Sequence, residues 1–554
     1  MRFPAGRFWP LLYPPLFAAA LVLGIAAQSA GQYGTSDLMQ VLAAVVVATA
    51  LVVVVVFAAV SVFERSDRSA PLAAGLAMLP VAWCFYYIPA RSALPAVSRH
   101  LSEDRVLLPL GLVMTLTAAT WLLRQSRSRL LGVSAFMVRF GLLLVALVSV
   151  RVAASHAREP QMAKRSALVR ALARPLHTVH APPPGRNTPP RDIYLIVLDG
   201  HANARVLREV FGFDNARFED SLRALGFLVP RDMRSNYVQT YLSVASLLNA
   251  SHLTQLSEDA GLTSMDHSLP TYLVKNNRAA RFLRAHGYKY VLFPSAWWAA
   301  TANSPLADEE FDPHPDIGLV QEVRRTEFRL AVLRSTLLRY AVRTDRAPVP
   351  LEQQFFRSFE GLREVPADPA PTFAFAHVLL PHVPYVLDAS CHLLEHGIPD
   401  DEEADTPEQR VDYVDQVRCV DHLVLDLVTT LLRQSSTPPI ILVVGDHGSR
   451  FADVGFYGHP ESVSTAFIRE RFGAFGAFYL PAGGDSTFRE PVTLVNVLGN
   501  VLRYYFNADL PPSPDEMYVS GQHLYHFYRV DARRYLGRDG NPTPDEPRPP
   551  EAHP

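Results

Sequence analysis

The 554-residue sequence is short of both net charge and cysteine, and each shortage narrows the classes of protein to which it can belong. Its formal net charge at pH 7 is −2. The sequence therefore predicts no nucleic-acid partner, because proteins that bind the phosphate backbone carry an excess of basic residues. It has three cysteines and no Cys-x-x-Cys spacing, which argues against a metal site built from thiolates. Cys391 and Cys419 can pair as a disulfide if they lie in an oxidising compartment.

Apolar residues are concentrated in the first 155 positions, in five segments long enough to cross a membrane. A membrane-spanning helix needs about 20 mostly apolar residues, and the run VLAAVVVATALVVVVVFAAVSVF is typical of one. The first segment does not fit a signal peptide, because four similar segments follow it. The five predicted spans are residues 9–28, 38–63, 70–90, 106–123 and 131–153.

The placement of arginines predicts the orientation of these spans, since cytoplasmic loops are enriched in basic residues. Arg2 and Arg7 precede the first span, whereas the loop SAGQYGTSD after it has no basic residue. Arginines also lie between the second and third spans and between the fourth and fifth. Arg91, Arg99 and Arg105 lie between the third and fourth spans, which weakens this pattern without reversing it. We therefore expect a protein integral to a membrane, with a cytoplasmic amino terminus and the chain after residue 155 outside.

Beyond residue 190 the chain alternates between strand-like and helix-like segments. The apolar runs in DIYLIVLDG, PTFAFAHVLLPH and IILVVGDHG are predicted strands, and VDYVDQVRCVDHLVLDLVTTLLRQ has the three- and four-residue periodicity of a helix. Strands separated by ten or more helical residues require crossover connections. The predicted fold is therefore α/β, a mostly parallel sheet flanked by helices, preceded by an all-α transmembrane bundle of about five helices.

Two of the predicted strands end in residues that can bind a metal. Asp199 ends one strand, and Asp446 and His447 end another, where Gly445 and Gly448 indicate a tight turn. The carboxyl ends of parallel strands share one edge of the sheet, so these side chains can converge from distant parts of the chain. Carboxylate and imidazole groups suit zinc or manganese. Taken alone, the Asp446–His447 pair fits an Asp-capped loop with a surface histidine equally well.

Thr240 begins a predicted helix, where free N–H groups and the helix dipole favour negative charge. A threonine hydroxyl is a weak nucleophile near neutral pH, and coordination to a metal is one way to activate it. The alternative is that Thr240 is an ordinary N-cap. His382 in LLPHVPY and His459 in GFYGHP also follow apolar segments. Each is a lone surface histidine, or the two together bind an oxyanion, protonate a leaving group or hold a second metal.

Four short motifs, in order and spacing, resemble the alkaline phosphatase superfamily in its sulfatase-like, membrane-anchored branch. They are IVLDG, TYLS within NYVQTYLSVASLLN, PHVPY and GDHG, with His459 twelve residues after His447. The resemblance covers about residues 190–510. Five spans before an exported domain also match the layout of this branch, which includes lipoteichoic acid synthases and lipid A phosphoethanolamine transferases.

The resemblance implies a role for each candidate residue. Thr240 would touch one divalent ion, zinc or manganese, and attack phosphorus, in a Thr-x-x-Ser pattern completed by Ser243. The formylglycine signature of sulfatases, Cys/Ser-x-Pro-x-Arg, is absent, so the resemblance favours phosphoryl chemistry. The implied metal ligands are Asp199, Thr240, Asp446 and His447. The implied substrate contacts are His382 and His459.

These inferences divide the chain into four parts. Residues 1–155 are the transmembrane region, 156–190 a juxtamembrane helix and Pro-rich linker, 191–510 a sulfatase-like catalytic domain, and 511–554 a carboxyl-terminal extension with a disordered end. The interleaved basic and apolar residues at 164–174 fit a helix on the outer membrane surface and a solvated connector about equally.

The predicted function is that of a metal-dependent phosphotransferase or phospho- or sulfo-ester hydrolase, with Thr240 as nucleophile. A membrane anchor suits a lipid-borne or envelope-glycan substrate outside the cytoplasmic membrane of a bacterium, because tethering raises the effective concentration of such a substrate. Two alternatives stay open. One is a catalytically inactive sulfatase-like domain that binds envelope polymers or a partner protein, and the other is a sulfohydrolase that uses Thr240 directly.

Overall fold

The computed structural model describes residues 8–28, 33, 35–93, 103–179, 185–295, 300–311, 327–341, 349–395, 405–452 and 462–530. The chain divides into two compact units. The first contains Met1–Arg158 and Gly318–Thr344, and the second contains Glu159–Ile317 and Asp345–Pro554.

The helices and strands are numbered in chain order. The helices are α1 (Tyr13–Gln28), α2 (Thr35–Phe63), α3 (Ser69–Ala93), α4 (Asp104–Arg124), α5 (Arg127–Arg165), α6 (Ala167–Ala173), α7 (Ala204–Phe211), α8 (Ala216–Ala224), α9 (Thr240–Asn249), α10 (Leu256–Ala260), α11 (Ser268–Lys275), α12 (Arg278–Ala285), α13 (Glu327–Arg334), α14 (Leu338–Ala341), α15 (Val349–Glu364), α16 (Pro407–Gln434), α17 (Thr465–Phe472) and α18 (Leu494–Phe506). The strands are β1 (Ile193–Leu198), β2 (Met233–Arg234), β3 (Lys289–Phe293), β4 (Glu309–Glu310), β5 (Thr372–Val378), β6 (Ile440–Gly445), β7 (Gly476–Tyr479), β8 (Val492–Thr493), β9 (Met517–Val519) and β10 (Tyr528–Val530). Short 3-10 turns lie at Trp9–Leu12, Val365–Ala367 and Pro481–Thr487.

The first unit is built on α1 to α5, which confirms that the five predicted spans are helices. Each of the five helices is long and apolar enough to cross a membrane, and α5 continues past the predicted end of its span to Arg165. Large apolar side chains such as Leu51, Val55 and Leu143 are more than half exposed on this unit. Outward-facing apolar surface of this kind is what lipid, rather than water, accommodates.

Helix α13 also belongs to the first unit, although its sequence lies between two parts of the second. Phe328 and Val332 pack with residues of α1 and α2 in one apolar cluster, and the Phe328 ring stacks on Tyr33 at 4.5 Å. Arg329 forms an ion pair with Asp37 of α2. This helix was not predicted from the sequence.

The second unit contains a six-stranded sheet with the order β4-β3-β5-β1-β6-β7. Neighbouring strands from β4 to β6 are parallel, and β7 is antiparallel at the edge. The predicted α/β class, with a mostly parallel sheet, is therefore confirmed. A two-stranded antiparallel ladder of β9 and β10 lies near the carboxyl end of the described chain.

Both faces of the sheet are covered, as the continuous apolar sequence of β1 requires. Ile193, Leu195 and Val197 face a core that includes α9, α11, α12 and α18. The alternate residues Tyr194 and Ile196 face a second core that includes α8, α15 and α16. All six residues of β1 are fully buried. The central strands β5, β1 and β6 therefore form the interior of this unit, and the edge at which they end carries the candidate site.

Candidate active site

Polar side chains follow or end three adjacent central strands at the same edge of the sheet. Asp199 comes directly after β1, and Asp446 and His447 come directly after β6. His377 is the penultimate residue of β5 and pairs in register with Val197. The parallel register therefore brings these side chains to one edge, as the sequence predicted for Asp199, Asp446 and His447.

Two glycines allow the loops at this edge to approach each other closely. Gly200 has φ +74°, a left-handed conformation that side chains disfavour. A Cβ atom on Gly448 would lie 2.0 Å from the Glu470 carbonyl oxygen, so only glycine fits there. The predicted tight turn after β6 therefore has a steric basis at Gly448.

Four side chains predicted from the sequence meet between these loops and the first turn of α9. The ligand atoms of Asp199, Asp446 and His447 lie within 4.8 Å of one another. His447 Nε2 is 3.6 Å from Asp199 Oδ1 and 3.3 Å from Asp446 Oδ2. Thr240 Oγ1 is 3.1 Å from the same Nε2 atom. Asp199, Asp446 and His447 are fully buried, and Thr240 is 6% exposed.

The two carboxylates fit a cation, because three of their four oxygens are buried without a hydrogen-bond donor in the described part of the chain. Within the described part of the chain, both oxygens of Asp199 and Oδ2 of Asp446 have no hydrogen-bond partner. The other oxygen of Asp446, Oδ1, accepts from the backbone N–H groups of Gly200 (3.0 Å) and His447 (2.9 Å). Leaving buried acceptors unpaired costs free energy unless a ligand satisfies them. Two carboxylates and one imidazole are a donor set that suits zinc or manganese.

The hydrogen bonds of His447 orient its imidazole towards this space. Nδ1 lies 2.9 Å from the Gly448 carbonyl oxygen, which only accepts, so Nδ1 carries the proton and Nε2 presents its lone pair to Thr240 and the carboxylates. Burial and the Arg471 guanidinium lower the pKa of His447 well below its usual value. A neutral imidazole is the form that binds a metal.

The pKa values of the two carboxyl groups are shifted in opposite directions. Burial and the nearby Asp199 carboxylate raise the pKa of Asp446 to about 7. Burial opposes ionisation of Asp199 as well, but the imidazoles of His382, His377 and His447 outweigh it and lower the pKa of Asp199 below its usual range. Two carboxylates forced together in this way repel each other when both are charged, and a cation between them would remove that repulsion.

Thr240 is the first helical residue of α9, not its N-cap. Gln239 occupies the N-cap position in an extended conformation and makes no side-chain cap, so the reading of Thr240 as an ordinary cap is wrong. Ser243, the other hydroxyl in the Thr-x-x-Ser pattern, is fully buried and donates to the Tyr237 carbonyl oxygen at 2.9 Å. Thr240 is therefore the hydroxyl that faces the cluster.

Of the two histidines predicted to contact substrate, His382 lies beside the carboxylates. His382 lies in the loop after β5, with its Cα atom 3.8 Å from the position that a Cβ on Gly200 would take, and its charge interaction with Asp199 places it beside the carboxylates. Burial lowers the pKa of His382, and the Asp199 carboxylate opposes part of that effect. His459 lies outside the described residues.

Sequence reasoning missed His377 and Thr301. His377 Nε2 is 3.4 Å from Asp199 Oδ2, and its Nδ1 is 3.0 Å from Thr301 Oγ1. Both residues line a small cavity beside Thr240. A histidine near the end of the apolar run TFAFAHV follows the same rule that identified Asp199, so the sequence carried a signal for His377. No comparable signal marked Thr301.

Sequence reasoning also missed Arg471, the penultimate residue of α17. The guanidinium is 8% exposed, and its Nη2 atom lies 3.0 Å from His447 Nε2. Burial and nearby Arg450 lower its pKa to about 10, which leaves it charged at neutral pH.

The predicted disulfide is present. Cys391 follows the loop after β5, and Cys419 lies in the middle of α16, with their Cα atoms 5.1 Å apart. Cys84 in α3 is a free thiol.

Comparison with known proteins finds similarity in structure only. No family model and no curated protein sequence matches the chain. A lipooligosaccharide phosphoethanolamine transferase A from Neisseria meningitidis, an integral membrane protein, has 12% identity and a TM-score of 0.41 over 90% of this chain and 94% of that one. The C-terminal periplasmic domain of EcEptC from Escherichia coli, in complex with zinc, has 12% identity and a TM-score of 0.43 over 66% of this chain and 98% of that one. The phosphonate monoester hydrolase of Agrobacterium radiobacter has 13% identity and a TM-score of 0.39 over 59% of this chain and 80% of that one.

Similarity at this level does not show what this chain does. Its activity has to be inferred from its own side chains. A structure from Vibrio parahaemolyticus described as a protein in the alkaline phosphatase superfamily is also similar, at 12% identity and a TM-score of 0.35 over 67% of this chain and 83% of that one.

Proposed function

We propose that the chain is a membrane-anchored, metal-dependent phosphotransferase or phosphoester hydrolase with Thr240 as its nucleophile. The observation that supports this most directly is the meeting of Thr240 Oγ1 and His447 Nε2, 3.1 Å apart, beside carboxylate oxygens that have no donor among the described residues. A domain that only binds a polymer has no use for a buried hydroxyl next to such a cluster.

Asp199, Asp446 and His447 would hold one divalent ion, with Thr240 beside it. Zinc fits the mixed oxygen and nitrogen donors, and manganese is the alternative. The zinc complex of the similar EcEptC domain is consistent with zinc. When bound, the ion would lower the pKa of the Thr240 hydroxyl and offset the negative charge of a phosphoryl group.

The proposed reaction begins with Thr240, whose hydroxyl proton is released to solvent. Attack by Oγ1 forms the Thr240 O–P bond while the bond from phosphorus to the leaving alcohol breaks, and the leaving oxygen takes up a proton. Water or an acceptor alcohol then attacks phosphorus and loses a proton, while the Thr240 O–P bond breaks and Oγ1 takes up a proton. The helix N-terminus at Thr240 favours the negative charge that gathers there. His382 and His459 are proposed to contact the transferring group.

The substrate is proposed to be a lipid-borne or envelope-glycan phosphoester outside the cytoplasmic membrane of a bacterium. Five apolar helices on the same chain would hold the site near such a substrate. The arginine distribution supports a cytoplasmic amino terminus. Direct cleavage of sulfate esters is the competing activity, and relative rates on aryl phosphate and aryl sulfate esters would separate the two.

The test uses the purified full-length protein in detergent. Metal per chain is measured by elemental analysis for the wild type and for Asp446→Asn, with Asp415→Asn as the matched control, because Asp415 is a partly exposed carboxylate of α16 that pairs with Arg418. The wild type and the control should hold about one ion per chain, and Asp446→Asn less, because the amide is a weaker ligand than a carboxylate. Equal metal content in all three would contradict ligation by Asp446.

The nucleophile is tested on the same preparations after incubation with membrane lipid extract. Mass spectrometry should find added mass on the peptide that contains Thr240, and Thr240→Ala should abolish both the modification and turnover. Thr429→Ala, which removes an exposed hydroxyl of α16, should leave both unchanged. A metal-free wild type that binds envelope polymers without modification would indicate the inactive binding domain instead.

A further inference from the structure

Arg471 is held rigidly between the loop that precedes Thr240 and the loop that follows His447. Its Nε atom donates to the Val238 carbonyl oxygen at 2.8 Å, and Nη1 donates to the Gly448 carbonyl oxygen at 3.3 Å. The residue is 8% exposed at the end of α17. Because both contacts are to backbone, the guanidinium is positioned by the two loops that also position the candidate nucleophile and metal ligand.

The charge of Arg471 is not neutralised by a direct ion pair within the described part of the chain. Its neighbour in sequence, Glu470, uses its carboxylate elsewhere, accepting from Ser449 Oγ at 2.7 Å and from the backbone N–H groups of Phe451 and Ala452. Burying a cation without a carboxylate in direct contact costs free energy, and Asp446, Asp199 and Glu470 offset part of that cost only at longer range. An arginine kept in such a place fits an anion that arrives from outside the chain.

The Nη2 atom of Arg471 contacts the same imidazole nitrogen as the Thr240 hydroxyl does. Nη2 is 3.0 Å from His447 Nε2, the atom from which Thr240 Oγ1 is 3.1 Å away. This imidazole lone pair is the acceptor that a metal ion would take. Arg471 Nη2 would then have no acceptor on His447. Because a guanidinium only donates hydrogen bonds, an oxyanion bound at Thr240 could become its new acceptor.

We infer that Arg471 is a further catalytic residue, which donates to a non-bridging oxygen of the phosphoryl group that Thr240 attacks. The inference rests on the proposed function and deepens it, because it assigns a tetrahedral oxyanion as the group recognised at this point. Arg450, close enough to act electrostatically on both Arg471 and His382, adds a second positive charge to the same side of the site.

The test measures binding of inorganic phosphate to the zinc-loaded full-length protein by calorimetry, together with metal per chain. Arg471→Gln and Arg471→Lys are compared with Arg433→Gln, an exposed arginine in the last turn of α16. Loss of one charge-assisted hydrogen bond predicts that Arg471→Gln binds phosphate roughly 10- to 100-fold more weakly. Arg471→Lys should retain part of the affinity, because it keeps the charge without the planar fork. Metal content should stay at the wild-type level in all three.

Three results would overturn the inference. Unchanged phosphate affinity in both Arg471 variants would show that the guanidinium does not contact the anion, while the proposed function would stand if wild type still modifies Thr240. Loss of metal in Arg471→Lys, with its fold intact by thermal unfolding, would make Arg471 a positioning residue for His447. A wild type that binds neither metal nor phosphate would overturn the proposed function together with this inference.

Discussion

Thr240 and Ser243 lie one helical turn apart on α9, yet only one of them faces the carboxylates. Thr240 Oγ1 contacts His447, whereas the Ser243 hydroxyl is enclosed and donates to a backbone carbonyl. The difference follows from helix geometry, because residues three apart lie on similar faces but at different depths along the axis. Which of the two hydroxyls can act as the proposed nucleophile therefore depends on where the helix begins.

Ser243→Ala is predicted to keep turnover near the wild-type level while lowering the free energy of unfolding by about 1 kcal/mol, the usual worth of one buried hydrogen bond. Turnover of an aryl phosphate and thermal unfolding in detergent would measure the two effects. Thr240→Ser, which retains a hydroxyl, is the companion variant and should keep part of the activity that Thr240→Ala loses. Loss of all turnover in Ser243→Ala with an intact fold would move the nucleophile role to Ser243.

His267 is predicted to make the protein less stable in acid. Its ring lies 4.4 Å from the Tyr241 ring, and burial lowers the pKa of His267 below its ordinary value of 6.5. The unfolded chain therefore binds a proton at higher pH than the folded chain does, so this contribution to stability is complete above about pH 6.5 and is lost as the pH falls towards the folded pKa.

Thermal unfolding of the wild type and of His267→Gln between pH 7.5 and 5.5 would check this. The variant should lose less stability over that range than the wild type. His392→Gln, which changes an exposed histidine, should behave like the wild type. If stability changed with pH equally in all three proteins, His267 would not be a source of the loss of stability in acid.

At the scale of elements, α13 shows how a buried ion pair joins parts of the chain that are distant in sequence. Arg329 is 9% exposed and pairs with Asp37 of α2, while Phe328 and Val332 fill the apolar cluster around them. Breaking such a pair leaves one charge buried and unpaired. This helix is therefore held to α1 and α2 by an ion pair as well as by apolar packing.

Arg329→Ala is predicted to destabilise the first unit by about 3–5 kcal/mol, because the largely buried Asp37 carboxylate would lose its arginine. Exchange of the two charges, Arg329→Asp with Asp37→Arg, should recover much of the loss. Arg105→Ala, which breaks the exposed Arg105–Glu103 pair, should change the unfolding midpoint little. A midpoint for Arg329→Ala equal to that of Arg105→Ala would contradict the role of this ion pair.

The disulfide between Cys391 and Cys419 ties the loop after β5 to α16 across 28 residues. Closing a loop of that length stabilises a fold by about 3–4 kcal/mol in the chain-entropy description. Cys391→Ser with Cys419→Ser should therefore lower the denaturant midpoint of the second unit, measured by limited proteolysis. Cys84→Ala should not. Titration that finds three free thiols in the native wild type would contradict the bond.

At the scale of the whole molecule, the chain forms a first unit of apolar helices and a second unit that contains the sheet. The chain leaves the second unit once, at residues 318–344, to contribute a segment to the first. The orientation of the membrane unit decides on which side of the membrane the candidate site lies. Arg2, Arg7 and the arginines of alternate loops predict a cytoplasmic amino terminus.

Reporter fusions that are active only outside the cytoplasm would test the orientation. A fusion at residue 66, between the second and third spans, should be inactive, and a fusion at residue 190 should be active. The disulfide provides a second readout, since it requires an oxidising compartment. The reverse pattern of reporter activity would place the site in the cytoplasm and exclude an envelope substrate.

The features that could be predicted from sequence are those set by short-range patterns. Hydropathy over about 20 residues identified the five spans, and apolar runs that stop at polar residues identified β1, β6 and the residues Asp199, Asp446 and His447. Convergence at one edge followed from a general property of parallel sheets. Thr240 was found from its place at the start of a helix, without knowledge of what it would contact.

The features that could not be predicted depend on contacts between distant segments. Nothing in the sequence around Arg471 distinguishes it from other arginines, and only the packing of α17 against the loops at Val238 and Gly448 brings its guanidinium to His447. Likewise α13 is a short helix without a long apolar run, and its neighbours on α1 and α2 lie almost 300 residues away, as the Arg329–Asp37 separation of 292 shows.

By itself, the sequence determined the spans, the buried strands and the identity of the polar residues that end them, because hydropathy and periodicity act within a single element. The tertiary structure alone decided that the Ser243 hydroxyl donates to a backbone carbonyl while that of Thr240 contacts His447, that His377 lies beside Asp199, and that Arg471 reaches the imidazole. These outcomes depend on register and packing, which sum many weak contacts between elements and leave no mark on any one stretch of chain.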